Sequence, residues 1–130
     1  MNVFHSLCGL LAETGLYGHW QFQKVVQVFK TPIDLGQYIA FRRGDKLMGF
    51  VTFALVSDEA LEELTSGKRV IQPEDWGSGY NIFFVDFIAP YGEVHELMKY
   101  VKRRFREKYG KGAVGHWYRP SKKRSGNAVA

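Results

Sequence analysis

Cysteine, long apolar runs and late acidic residues are all scarce in this chain, and each scarcity excludes something. A single cysteine, Cys8, among 130 residues rules out an intramolecular disulfide framework and any zinc site built on several thiolates. It fits a protein from a reducing compartment. The longest apolar stretch, Gly49 to Val56, is interrupted by Thr52 and is far too short to span a bilayer. The start, Met1-Asn2-Val3-Phe4-His5, lacks the basic segment of a secretion signal, so a cytoplasmic location is expected. No two of the four histidines stand at the spacing of a helical zinc motif, and no metal is expected. Residues 99–130 hold Glu107 as their one acidic side chain against 11 of the 18 Lys and Arg, net +10, while residues 1–98 are net −5. Such asymmetry points to an anionic partner: nucleic acid, a membrane surface or an acidic protein.

What is present describes one globular domain. The chain is 45% apolar, 15% aromatic and 24% charged, which argues against a disordered or low-complexity protein. Val3, Phe4, Leu7, Leu10 and Leu11 recur at helical spacing and predict an amphipathic helix that loosens at Gly15. Thr31-Pro32 predicts a break, since proline pushes its predecessor out of the helical region. Gln37 to Arg42 and Leu47 to Val56 flank the turn residues Arg43-Gly44-Asp45-Lys46 and read as a β-hairpin. Ser57 is placed to cap a short acidic helix, Asp58 to Leu64. Pro73 to Gly79 reads as a loop. Ile82 to Ile88 is a strand without polar alternation except at Asp86, the mark of a central strand covered on both faces.

After Gly92, the residues Val94, Leu97, Met98, Val101 and Phe105 make a narrow apolar stripe on a helix whose far side gathers Lys99, Lys102, Arg103 and Arg106. Ala113 to Tyr118 reads as a last strand. Residues 121–130 read as a disordered basic tail, leaving a domain over residues 1–120. The order of elements predicts an α/β (α+β) fold, a single mixed sheet flanked by helices.

Two residues carry the chemistry best. By simple alternation Asp86 shares a face with Ile82, Phe84 and Ile88, where an ionised carboxylate costs several kcal/mol unless hydrogen bonds or a cation compensate it. It is either a partner that orients or stabilises a catalytic base, or a structural carboxylate held by backbone amides. A general base near neutral pH is most economically a histidine. His19, beside Trp20 in a loop-like region, is the best placed; His5 and His95 read as solvated, and His116 is a weaker rival. Gly110 to Gly115 matches G-x-G-x-x-G by letters, but it follows a helix and enters a strand, the reverse of the dinucleotide fingerprint. The cationic helix face could bind phosphates, or be a solvated face that keeps the protein in solution. No nucleic-acid motif accompanies it.

Four blocks of sequence then resemble a family. Pro32-Ile33-x-Leu35-Gly36-Gln37-Tyr38-Ile39, Glu74-Asp75-Trp76-x-Ser78-Gly79, Phe84-Val85-Asp86-Phe87-Ile88-Ala89-Pro90-Tyr91-Gly92 and Lys99-Tyr100-Val101-Lys102-Arg103-Arg104-Phe105 are similar to the toxin-activating lysine acyltransferases, of which the hemolysin-activating protein C family is the named example. The likeness runs from about Leu16 to Phe105 and fades beyond it. It implies a fold resembling the Gcn5-related N-acetyltransferases, transfer of a fatty acyl chain from acyl carrier protein to lysine side chains of a protoxin, no bound cofactor, and a homodimer. Because acyl carrier protein is acidic, Lys99, Lys102, Arg103 and Arg106 become its expected docking face.

The family's essential aspartate falls on Asp86. Its essential histidine stands three residues before the tryptophan, and that place is Tyr17 here, with His19 directly before Trp20. Positions 17 and 19 of a helix point about 200° apart. Three readings therefore stand: a slipped loop brings His19 to the same space, Tyr17 takes another role, or activity is lost. The chain also ends without the longer C-terminal region of the toxin activators, so a substrate other than a large toxin is one expectation. The competing expectation is a noncatalytic relative that binds an acidic partner or nucleic acid.

Overall fold

The computed structural model describes residues 3–12 and 22–130; Tyr17, His19 and Trp20 lie outside them. Helices α1 (Val3–Ala12) and α2 (Phe22–Leu35) precede the hairpin β1 (Tyr38–Arg43) and β2 (Lys46–Val56), followed by α3 (Asp58–Thr65), β3 (Asn81–Ile88), α4 (Val94–Tyr109), β4 (Val114–Arg119) and β5 (Arg124–Val129). The strands form one sheet in the order β1-β2-β3-β4-β5. All neighbours are antiparallel except β3 and β4, which run parallel because α4 carries the chain between them. The expected α/β architecture, a single mixed sheet with helices, is the observed one, consistent with a fold like that of the Gcn5-related N-acetyltransferases.

Alternation along β2 sorts the helices. Phe50, Leu47 and Ile88 pack with Leu7, Leu10 and Leu11 of α1 and Val25 and Phe29 of α2. Ala54 and Val56 pack with Ala60 and Leu64 of α3, which is capped as the sequence predicts by Ser57 Oγ accepting from Ala60 N at 3.1 Å. On the opposite side Val51 and Phe53 meet Leu97, Val101 and Phe105 of α4. Helix α4 fits closely: a Cβ placed on Gly49 would lie 2.9 Å from Leu97 Cδ2.

Three expectations change. Pro32 does not break the chain but lies buried inside α2, where Val25, Phe29 and Pro32, spaced i, i+4, i+7, are buried along one face. The helix ends three residues later, at Leu35, after which Gly36 takes φ +70° and Gln37 N donates to Pro32 O at 2.8 Å, a Schellman closure. The tail is not disordered over its length, since Arg124–Val129 forms β5, paired with β4 from Val114–Val129 to Arg119–Arg124. Its small residues serve that pairing: Gly126 sits opposite Trp117, and a Cβ there would lie 2.6 Å from the indole. Finally, Asp86 does not share a face with Ile82 and Phe84. The register shifts between Thr52–Asp86 and Phe53–Phe84, and the extra residue of that bulge, Val85, turns Asp86 to the face of Thr52.

Candidate active site

The parallel pair produces the cleft. Strands β3 and β4 are paired only at Ile82–Gly115 and Phe83–His116, although each is paired well beyond that point on its other side. Past Phe83 they part around a cleft of about 420 Å³, within the usual size of a small-ligand site. Phe84 and Phe87 of β3, with Val94 and Met98 of α4, give it an apolar wall, and Trp117 and Arg119 of β4 stand across from them.

Asp86 lies on the same cleft. Its partner is Thr52, the fully buried residue opposite it on β2. Thr52 Oγ1 accepts from Asp86 N at 3.0 Å and donates to Asp86 Oδ2 at 3.3 Å. Burial pushes the Asp86 carboxyl above its ordinary value, and the hydrogen bond from Thr52 offsets part of that rise. Among the described residues, the side-chain partner of this carboxylate is a hydroxyl. Sequence reasoning saw Thr52 only as an interruption of an apolar run, because the pairing that gives it a role depends on a bulge.

A profile of the RTX toxin acyltransferase family matches residues 1–127. The chain belongs to this family. It is 40% identical over 57 residues to the lysine-acyltransferase RtxC of Vibrio cholerae serotype O1, covering 44% of this chain and 37% of the relative. It is 27% identical over 105 residues to the protein-lysine myristoyltransferase HlyC of Escherichia coli, covering 81% and 62%. The RTX-II toxin-activating lysine-acyltransferase ApxIIC of Actinobacillus pleuropneumoniae is 24% identical over 128 residues, 98% of this chain and 78% of its own length. The chain thus spans less than two thirds of the first two relatives. The family match continues past Phe105, so the similarity does not fade there, and it takes in β4 and the first four of the six residues of β5.

The RTX toxin acyltransferase blocks away from the cleft have structural work. In Glu74-Asp75-Trp76-x-Ser78-Gly79, buried Asp75 takes a two-pronged bond from Arg69, Nη1 to Oδ2 at 2.7 Å and Nη2 to Oδ1 at 2.9 Å, and also accepts from Gln72 N. The Arg69 hydrogen bonds hold its carboxyl below the ordinary value, against the opposing effect of burial. Ser78 Oγ accepts from Ser57 N, and a Cβ on Gly79 would lie 2.5 Å from Val56 O, so the loop is fixed against the end of β2. Among the histidines, His5 and His95 are exposed, and His116 stands on β4 opposite Phe83, its pKa lowered by burial. His19 lies outside the described residues. Lys99, Lys102, Arg103 and Arg106 are all exposed on α4, as its periodicity predicts.

Proposed function

We propose that this chain transfers a fatty acyl group from the phosphopantetheine thioester of acyl carrier protein to a lysine side chain of a protein substrate. The observation that carries the proposal is Asp86, a half-buried carboxylate on the edge of an apolar cleft, at the position where the resemblance implies the family's aspartate. The cleft suits a thioester arm, because parting two parallel strands leaves backbone groups facing a linear ligand.

The chemistry is aminolysis. A lysine ammonium, pKa about 10.4 in water, must lose a proton before it can attack. The free amine forms a C–N bond at the thioester carbon, the carbonyl electrons move to oxygen, and collapse of the tetrahedral intermediate breaks the C–S bond. The thiolate leaves on the carrier's arm and takes up a proton. In this reading His19 accepts the lysine proton, and ionised Asp86 stabilises the imidazolium that results. Helices α1 and α2, which the segment containing His19 joins in sequence, both pack on the sheet face to which Asp86 turns. The exposed basic face of α4 receives the acidic carrier.

The test is mass spectrometry of a candidate substrate mixture after incubation with acyl-loaded carrier protein. Lysine acylation is expected, lost in both His19→Ala and Asp86→Ala while circular dichroism is unchanged. If Tyr17→Phe abolishes transfer and His19→Ala does not, His19 is not the base. If no lysine is acylated and charge reversal at Arg103 and Arg106 alone disrupts carrier binding, the protein is a binding module.

A further inference from the structure

The cleft ends at a partition. Phe84 and Met98 line it, and the same two side chains line a second void of about 20 Å³ behind them. Small residues, Ala113, Gly115, Ala128 and Ala130, form one side of that void, and larger ones, among them Val101 and Phe105 of α4, form the rest. Phe84 is held in place from two sides. Its ring meets Phe105 edge-on, with centroids 5.5 Å apart and planes at 83°, and it occupies the space that a side chain at Gly115 would fill, a Cβ there lying 2.3 Å from Phe84 Cε2. Met98 is the flexible half of the partition, an unbranched side chain in a gap between helix and sheet.

We propose that Phe84 and Met98 form an end wall that sets the longest acyl chain the cleft accepts. The proposal rests on the acyl-transfer reading and names its substrate more closely, as a linear acyl thioester whose chain length is measured against this wall. Each methylene that enters an apolar cleft raises affinity about fourfold. A chain that reaches the wall gains nothing from a further carbon. Removing the Phe84 ring joins the cleft to the void behind it and lets the chain continue toward the small residues of β4 and β5. A methyl group at Gly115 acts in the opposite sense, because it displaces the ring into the cleft.

The experiment is calorimetric titration of the full chain with a graded series of acyl-pantetheine thioesters, with lysine acylation by the same acyl groups on carrier protein assayed in parallel. In the unaltered protein, affinity is expected to climb about fourfold per carbon and then level off. The levelling point is expected to move to longer chains in Phe84→Ala and in Met98→Ala, the latter keeping the ring contact with Phe105, and to shorter chains in Gly115→Ala. An unmoved levelling point in both alanine variants, a climb with no levelling, or no binding across the series overturns the wall. The acyl-transfer reading is judged separately. Length-limited binding without lysine acylation rejects transfer and keeps the wall, whereas acylation with an unmoved length limit rejects the wall alone.

Discussion

Asp86 and Thr52 together hold a charge where the sheet would otherwise be apolar. The Asp86 carboxyl has an ordinary value of 3.8 and is raised in the fold by burial. Such a group costs no stability while protonated in both states, and it lowers stability as pH rises from the ordinary value through the raised one. Asp86→Asn is therefore expected to melt at a higher temperature than the unaltered protein at neutral pH, with the difference closing toward pH 4 in thermal melts monitored by circular dichroism. The same variant is expected to lose transfer activity by roughly 10²–10⁴-fold, the usual contribution of acid–base assistance. Asp75 has the opposite sign. Held below its ordinary value by Arg69, it contributes stability that is lost as pH falls, so Asp75→Asn is expected to lower the neutral melting temperature by several degrees. Thr52 separates geometry from charge. Thr52→Val removes the hydrogen bond that lowers the Asp86 pKa, so the acid limb of the pH–rate profile is expected to shift upward, and Thr52→Ser is expected to restore it.

At the scale of elements, α4 is both the back of the cleft and the support of the sheet. Leu97 is almost wholly buried against Gly49, and Leu97→Ala is expected to cost about 2–5 kcal/mol, read from the urea midpoint at constant slope. The elements that the sequence makes legible are those set by nearby residues. The β1–β2 hairpin follows from its turn, α3 from Ser57, and α4 from a stripe repeated over three turns. Elements set by distant partners are not legible in this way. Helix α2 holds its proline because the buried face outweighs one missing hydrogen bond, and β5 is a strand because β4 offers an edge. The site divides similarly. Asp86 is conspicuous as the one charge in an apolar strand, whereas Thr52, the bulge at Val85 and the Phe84–Met98 partition exist only once β2, β3 and α4 are assembled.

Across the whole molecule, net charge runs from −5 over residues 1–98 to +10 over residues 99–130. Six of the late cations, Lys99, Lys102, Arg103, Arg104, Arg106 and Lys108, stand exposed on α4, whose N-terminal residues Val94 and Met98 line the cleft. On the proposed function, an acidic carrier drawn to that helix would arrive with its arm close to the cleft. Its binding is expected to weaken steeply as ionic strength passes about 0.1 M, where the screening length is about 10 Å. The double variant Arg103→Glu, Arg106→Glu is expected to slow association more than it speeds dissociation, measured by surface plasmon resonance at two salt concentrations.

The brief pairing of β3 with β4 also divides the sheet into a three-stranded part and a two-stranded part, joined by two residue pairs and the α4 crossover. A linear ligand lying between them acts as a missing strand. Its arrival would fasten the two parts together, and the signature would be slowed amide hydrogen exchange in Phe84–Phe87 and Trp117–Arg119 at once, two segments far apart in the chain that share one occupant.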